Sequence, residues 1–181
     1  MASELVVDVV NRMLATLTLA GQVFIVILIG MLFVKRKDES ALLRYVKERA
    51  LLFAFIITVV ATAGSLFWSE VVGYTPCKLC WFQRVFIYPQ VVLLGVALLR
   101  KEKKITRYII PISVIAGLIA AYHYLMQIGA APATSCSVVG FSVDCSETFA
   151  MHYGYITNPL MALTAAVLII LFMLFLSRKR D

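Results

Sequence analysis

Long apolar runs, separated by short polar segments, account for most of the chain. A transmembrane helix needs about 20 consecutive, mainly apolar residues to cross the hydrocarbon core of a bilayer. Four runs come close to or reach this length, and they cover residues 50–68, 81–99, 108–127 and 158–176. The pattern therefore predicts four transmembrane helices in this part of the chain.

A fifth apolar run, residues 13–34, precedes these four. It ends at three basic residues (35–37), as a span does where its transfer stops. Neither an early basic region nor a small-residue cleavage site accompanies the run, which argues against a signal peptide. We interpret it as an uncleaved span. The alternative is a helix in the membrane interface, since Glu4, Asp8 and Arg12 make its start amphipathic.

The composition supports this interpretation, because 62% of the 181 residues are hydrophobic. That fraction excludes an ordinary soluble domain, and the length leaves no room for a second one. We predict an all-α membrane protein, a four-helix transmembrane bundle with an additional N-terminal helix. Residues 1–49 would hold the extra span and a cytoplasmic amphipathic linker (35–49), and residues 50–181 the four-helix domain.

The net charge of +7 does not indicate a nucleic-acid partner, because the basic residues are not spread over a binding surface. Fourteen of the 17 lie in segments 35–49, 100–107 and 177–181, which flank apolar runs. The loops 69–76 and 128–157 contain no Lys or Arg. By the positive-inside rule, the basic segments are cytoplasmic and the two loops lie on the opposite face.

All four cysteines belong to these two loops. Cys77 and Cys80 directly follow the first loop, and Cys136 and Cys145 lie in the second. The predicted orientation places both pairs on the non-cytoplasmic face, where disulfides form and persist. Four cysteines allow three connectivities. The short spacings favour 77–80 and 136–145 at rest, and a cross-pair such as 77–136 remains possible during turnover.

The Cys-Lys-Leu-Cys motif follows Thr75 and Pro76, so a helix should begin at or just after Pro76. Unsatisfied N–H groups at a helix N-terminus stabilise a thiolate, the attacking species in disulfide exchange. The alternatives are a static staple, or half of a zinc site. Zinc is disfavoured because the second pair is too widely spaced, and we expect no metal. Its remaining ligands would have to come from Cys136, Cys145, His123 and His152.

Two further side chains are candidates for a ligand site. Arg84 lies one turn beyond Cys80 on the same helix face, where it could stabilise the Cys80 thiolate or hold a polar head group. It could equally extend to the membrane interface. His123, near the end of the third of the four spans, is either a hydrogen-bonded interfacial histidine or a proton donor to a redox ligand. The pair Cys136 and Cys145 could likewise be a simple loop staple.

These residues resemble those of the DsbB family of membrane disulfide-forming oxidoreductases, including its BdbC-like members. The resemblance covers about residues 50–176. The similar segments are Pro76 to Arg84 (PCKLCWFQR), Tyr122 to Gln127 (YHYLMQ), Cys136 with Asp144-Cys145, and the stretch GYITNP at 154–159. The order also matches, with the CxxC in the first loop and the spaced pair in the second. The N-terminal span has no counterpart in the family's four-helix core.

The resemblance implies a quinone (ubiquinone or menaquinone) bound near the non-cytoplasmic surface and a DsbA-like thioredoxin-fold partner. By that likeness the partner attacks Cys136, whose resting mate is Cys145. Cys77 exchanges with this loop pair, and Cys80 passes electrons to the quinone. Arg84 and His123 would lie near the quinone ring. The implied location is the bacterial inner membrane.

Two other functions stay open from the sequence. The first is a thiol/quinone reductase of the vitamin K epoxide reductase type, which has similar parts but carries its CxxC last. The second is a non-enzymatic membrane protein whose loops are held by structural disulfides.

Overall fold

The computed structural model describes residues 4–33, 41–132, 144–146, 148 and 151–177. Their elements, in chain order, are α1 (Glu4–Phe33), α2 (Ala41–Leu66), α3 (Lys78–Arg100), α4 (Thr106–Gln127), β1 (Met151–His152), β2 (Ile156–Thr157) and α5 (Asn158–Ser177). A π-helical turn (Phe67–Val71) extends α2, and a 3₁₀ turn (Lys103–Ile105) precedes α4.

Within the described ranges, five helices are long and apolar enough to cross a membrane. They contain the four predicted spans and the additional N-terminal run, so the predicted fold class is confirmed. A backbone that crosses lipid must satisfy its own hydrogen bonds, which is why such runs fold as continuous helices. The protein is thus a multi-pass helical membrane protein.

The predicted linker over residues 35–49 is wrong in its second half. The helix α2 starts at Ala41 and continues without a break into the apolar run. Leu43 and Val46 are almost completely buried in the main core. Arg44, Glu48 and Arg49 are exposed on the same helix. The amphipathic pattern of residues 41–49 therefore marks the first part of α2 and not a separate linker. Residues 34–40 lie outside the described part of the chain.

The main core forms where α5 packs against α1, α2 and α4. Phe172 of α5 is its centre, with ring centroids 6.0 Å from Phe24 of α1 and 5.4 Å from Phe53 of α2. A buried polar pair joins α3 to α4, because Ser113 Oγ donates to Gln90 Oε1 over 3.0 Å.

One end of the bundle carries the Cys-Lys-Leu-Cys motif, and we call it the cysteine end. It comprises the C-terminal ends of α2 and α4 and the N-terminal ends of α3 and α5. Residues 151–157 form an antiparallel hairpin in which Met151 pairs with Thr157 and His152 with Ile156. Tyr153 and Gly154 turn this hairpin with positive φ. Strands of two residues are too short for a sequence pattern to indicate.

Candidate functional site

The helix α3 begins at Lys78, directly after Cys77, as the position of Pro76 predicts. Cys77 is the N-cap residue, and its extended backbone lets Sγ accept a hydrogen bond from the backbone N–H of Cys80 over 3.4 Å. A sulfur in this position replaces the Ser or Asp oxygen that usually caps a helix. Cys77 therefore lies where the positive end of the helix dipole stabilises negative charge.

Cys77 and Cys80 are free thiols in this structure. Their Sγ atoms lie 3.1 Å apart and share a hydrogen bond. The resting 77–80 disulfide expected from the spacing is therefore not what the structure holds; it holds the reduced pair. The i, i+3 spacing brings the two sulfurs together on one helix face in this form as well.

His123 of α4 connects the motif to the second loop. It is 2% exposed, and its Nε2 lies 3.1 Å from the backbone oxygen of Cys145 and 3.7 Å from Sγ of Cys77. A carbonyl oxygen can only accept, so Nε2 carries the proton and points it at both groups. These contacts show that His123 is hydrogen-bonded, and its role as a proton donor to a redox ligand stays a prediction.

Several donors therefore converge on the Cys77 sulfur. Together, the hydrogen bond with the Cys80 side chain and the contact with His123 lower the pKa of Cys77 to about 4, although burial opposes them. The lowered pKa favours the thiolate form of Cys77. A thiolate is the form that attacks disulfides.

Gln83, which the sequence did not single out, positions the histidine. Its Nε2 lies 3.0 Å from Nδ1 of His123. Since Nε2 of the histidine holds the ring proton, Nδ1 accepts from the Gln83 amide. The sequence could have indicated Gln83 by its position, because residues three apart on a helix, such as Cys80 and Gln83, lie close together on the helix surface. Only the fold reveals that His123 is opposite.

Replacing Gln83 with leucine is expected to slow the reaction of Cys77 with a small disulfide roughly tenfold, because a neutral His123 then also populates the tautomer without an Nε2 proton. Stopped-flow thiol exchange gives the rate, and ¹⁵N NMR of the ring gives the tautomer. Phe82→Leu, at an adjacent exposed position, is the matched control and should be neutral. Wild-type rate and tautomer in Gln83→Leu would contradict this role.

Arg84 contacts α2 rather than the membrane interface. Its Nε donates to Oγ of Ser65 over 3.0 Å, and one Nη donates to the Ser65 backbone oxygen over 2.9 Å. The hydroxyl of Tyr88 donates to the same Ser65 Oγ over 3.0 Å. The guanidinium also lies 5.3 Å from the centre of the Trp81 ring. These bonds hold the Arg84 charge against α2, and its role toward a thiolate or a head group stays a prediction.

A cavity of about 330 Å³ opens beside the motif, between α1, α2, α3 and α5. Cys80, Gln83, Arg84 and His123 line it, whereas Cys77 does not. Asn158 also lines it, and Oδ1 of Asn158 is buried without a hydrogen-bond partner. A buried polar atom of this kind is costly unless a ligand or water satisfies it. The cavity thus has a polar end, where a ligand hydroxyl or a water could donate to the Asn158 oxygen.

Cys145 lies against the motif, packed with Cys77 and Met126 in a small buried cluster. It is disulfide-bonded, and since Cys77 and Cys80 are free, neither of them is its partner. Asp144 accepts a hydrogen bond from the Ser146 backbone N–H, which shapes this turn and lowers the pKa of Asp144. Cys136, predicted to pair with Cys145, lies outside the described residues.

The zinc alternative is left with three ligand atoms among the described residues. Those of Cys77, Cys80 and His123 lie within 4.8 Å of one another. The Cys145 sulfur is already in a disulfide, and His152 is not part of the group. A structural zinc site uses four protein ligands. The expectation that the chain holds no metal stays a prediction.

The fold and the site together define a class, that of multi-pass helical membrane proteins with a thiol redox centre at one end of the bundle. Residues 47–176 match the family model described as Disulfide bond formation protein DsbB. The chain belongs to the DsbB family, and it is a membrane oxidoreductase of disulfide formation.

Relatives support the assignment. The chain is 35% identical to Disulfide bond formation protein C of Bacillus subtilis over 136 residues, which are 71% of this chain and 92% of that protein. It is 39% identical to Probable disulfide formation protein C of Bacillus cereus, over 68% and 88% of the two chains. It is 37% identical to Probable disulfide formation protein of Coxiella burnetii, over 72% and 89%. No solved structure matches the chain.

Proposed function

We propose that this protein reoxidises a thioredoxin-fold disulfide carrier and delivers the electrons to a membrane quinone. One observation carries the proposal: the two cysteines of the motif face different partners. Cys77 lies beside the loop that contains Cys145, whereas Cys80 lines the cavity. The motif thus stands between a disulfide in a loop and a space for a lipid-soluble acceptor.

Electrons enter through the loop pair. In our proposal Cys136 and Cys145 form a disulfide, and a thiolate of the reduced carrier attacks Cys136. The second carrier thiol then displaces this sulfur, which leaves an oxidised carrier and a loop dithiol. The thiolate of Cys136 next attacks Cys77 in the oxidised motif, and Cys145 resolves the mixed disulfide. The loop pair is a disulfide again, and Cys77 and Cys80 hold two electrons and two protons.

The cavity residues fit a quinone. A quinone supplies the acceptor for two electrons and two protons and leaves as the hydroquinone, while the Cys77–Cys80 disulfide reforms. Arg84 would donate to one ring oxygen, because only part of its guanidinium is engaged by Ser65. The unsatisfied Oδ1 of Asn158 would accept a hydrogen bond from a hydroxyl of the hydroquinone. His123 contacts Cys77 and also lines the cavity, so its imidazole would carry a proton between the thiol and the polar end of the cavity.

The orientation and partner follow from the same proposal. Both cysteine pairs would lie on the non-cytoplasmic face of a bacterial inner membrane, where the carrier oxidises secreted proteins. Eight of the twelve residues of segment 146–157 are polar or aromatic, and in our proposal this segment presents the loop to that carrier. The quinone, ubiquinone or menaquinone, would enter from the lipid.

A trapped conjugate tests the partner half of this proposal. In Cys145→Ser, the Cys136 thiolate can attack Cys77 of the oxidised motif, and the thiolate of a carrier that lacks its second motif cysteine can then displace Cys77 from Cys136. The carrier–Cys136 disulfide should accumulate, because neither the loop nor the carrier keeps a second thiol to break it and the motif disulfide supplies the oxidation. Nonreducing gels of co-expressed proteins detect the conjugate, and mass spectrometry locates the bond. Cys136→Ser is the matched control and should give none. A Cys145→Ser variant at normal membrane levels without any conjugate would refute the carrier step.

A further inference from the structure

The helix α1 has no counterpart in the family match, which begins at residue 47. The unmatched 8% of the Bacillus subtilis relative is far shorter than this 30-residue helix. Yet α1 is tied to the cysteine end by three side-chain hydrogen bonds. Trp68 Nε1 donates to Asn11 over 2.7 Å, the Tyr155 hydroxyl donates to Gln22 over 2.8 Å, and Thr16 bonds the Tyr153 hydroxyl over 3.1 Å.

A small residue lets α1 pack closely on α5. A Cβ at Gly21 would lie 3.1 Å from Leu168 Cδ1 and 3.3 Å from Thr164 Cγ2, both on α5. Glycine contacts of this kind bring helix backbones together in membranes. The contact of α1 with α2 is made by side chains, since a Cβ at Gly64 of α2 would lie 3.3 Å from Leu14 Cδ1. The helix α1 therefore packs on α5, and a groove lies between α1 and α2.

In that groove α1 forms one wall of the cavity, through Leu14, Leu17 and Thr18. The opposite surfaces are apolar, with Ile56 and Val60 from α2 and Leu168 from α5. Leu168 follows Asn158 by ten residues, so this apolar part lies about 15 Å deeper along α5 than the polar end. The cavity changes from polar to apolar along its length, as a ligand with a polar head and an apolar tail requires.

We propose that α1 is the binding wall for the apolar tail of the ligand, with Leu14, Leu17 and Thr18 in contact with the part next to the head group. The inference rests on the proposed quinone function and adds to it a fifth helix that the family core lacks. It predicts that α1 determines affinity for the tail and leaves recognition of the head group unchanged.

Photo-crosslinking of the full-length protein tests this inference without relying on turnover. The probe is a quinone that carries a diazirine on the first carbons of its tail. Adducts that excess parent quinone competes away are expected in the peptide containing residues 14–18. Leu17→Trp should reduce their yield about tenfold, because the indole fills the space that the tail occupies. Val23→Trp is the matched control, since Val23 is 58% exposed against 56% for Leu17 and lies outside the cavity.

A second variant and a kinetic comparison complete the test. Leu14→Ala removes an apolar contact at the α1–α2 boundary and should raise KM for a tailed quinone several-fold, with an unchanged kcat. A tail-less quinone of the same ring should keep its KM. Two results would overturn the role of α1 and leave the quinone site standing. One is competed adducts in α2 and α5 with none in α1, and the other is an equal rise in KM for both quinones in Leu14→Ala. An absence of competed adducts anywhere would overturn the proposed quinone site together with this inference.

Discussion

Replacing Cys80 with serine is expected to reduce quinone-linked turnover to the uncatalysed background. Serine keeps the size and a hydrogen-bonding group beside Cys77, but an oxygen cannot form the disulfide whose closure releases two electrons. Cys80 is also the motif cysteine that lines the cavity. The rate of quinone reduction with reduced carrier, followed by ultraviolet absorbance in detergent or proteoliposomes, measures the effect.

The fold and the binding steps should survive this substitution. Cys80→Ser is expected to retain the wild-type helical circular dichroism and to retain bound photo-crosslinking probe. Quinone reduction at the wild-type rate in Cys80→Ser would exclude the proposed route through this sulfur and return the motif to a structural role.

The membrane fold could be predicted from sequence because its dominant physical constraint is local. Each span must be about 20 apolar residues long, and such runs are visible without any knowledge of packing. The start of α3 was equally accessible, since Pro76 restricts the backbone directly before the motif. The start of α2 was not, because charged residues between 41 and 49 conceal a helix whose other side is buried.

The site was predictable in its reactive atoms and not in its supporting contacts. Cys77, Cys80, Arg84 and His123 were candidates because thiols, a charge and a histidine are unusual in an apolar chain. Whether Arg84 turned inward or outward depended on Ser65, nineteen residues earlier on another helix. Contacts of this kind depend on how helices pack, and hydropathy has no information on helix rotation.

The contacts of His123 are a second example of what the sequence could not indicate, and they matter more for function. The sequence indicates a histidine near a redox ligand. The fold places its ring between Cys77, Gln83 and the backbone of Cys145. The loop disulfide and the CxxC motif are thus neighbours through one imidazole. This proximity supports exchange between the two pairs across a short loop, which the spacing of the cysteines left open.

The reactivity of Cys77 is expected to change little between about pH 8 and about pH 6, whereas an ordinary thiol would lose about 100-fold over the same interval. The pKa of Cys77 is about 4, lowered first by the hydrogen bond with Cys80 and also by His123. A lowered pKa keeps the thiolate present above it, so reactivity should fall only as the pH approaches 4. Mass spectrometry of the reduced protein, treated with a small uncharged alkylating reagent, gives the rate at Cys77 relative to pH 8.

Two variants separate the causes of this low pKa. Cys80→Ala removes the largest contribution and should move the pKa of Cys77 upward, toward 9.0, so that reactivity again falls by up to tenfold per pH unit. His123→Ala should produce a smaller shift in the same direction, and His123→Gln, which retains a donor, should restore part of the wild-type profile. Burial of Cys77 slows the reagent equally at each pH and cancels in the ratio. A wild-type rate that already falls tenfold per unit from pH 8 would show that the donors around Cys77 do not hold it as a thiolate, and a low pKa would then not assist its release when Cys145 resolves the mixed disulfide.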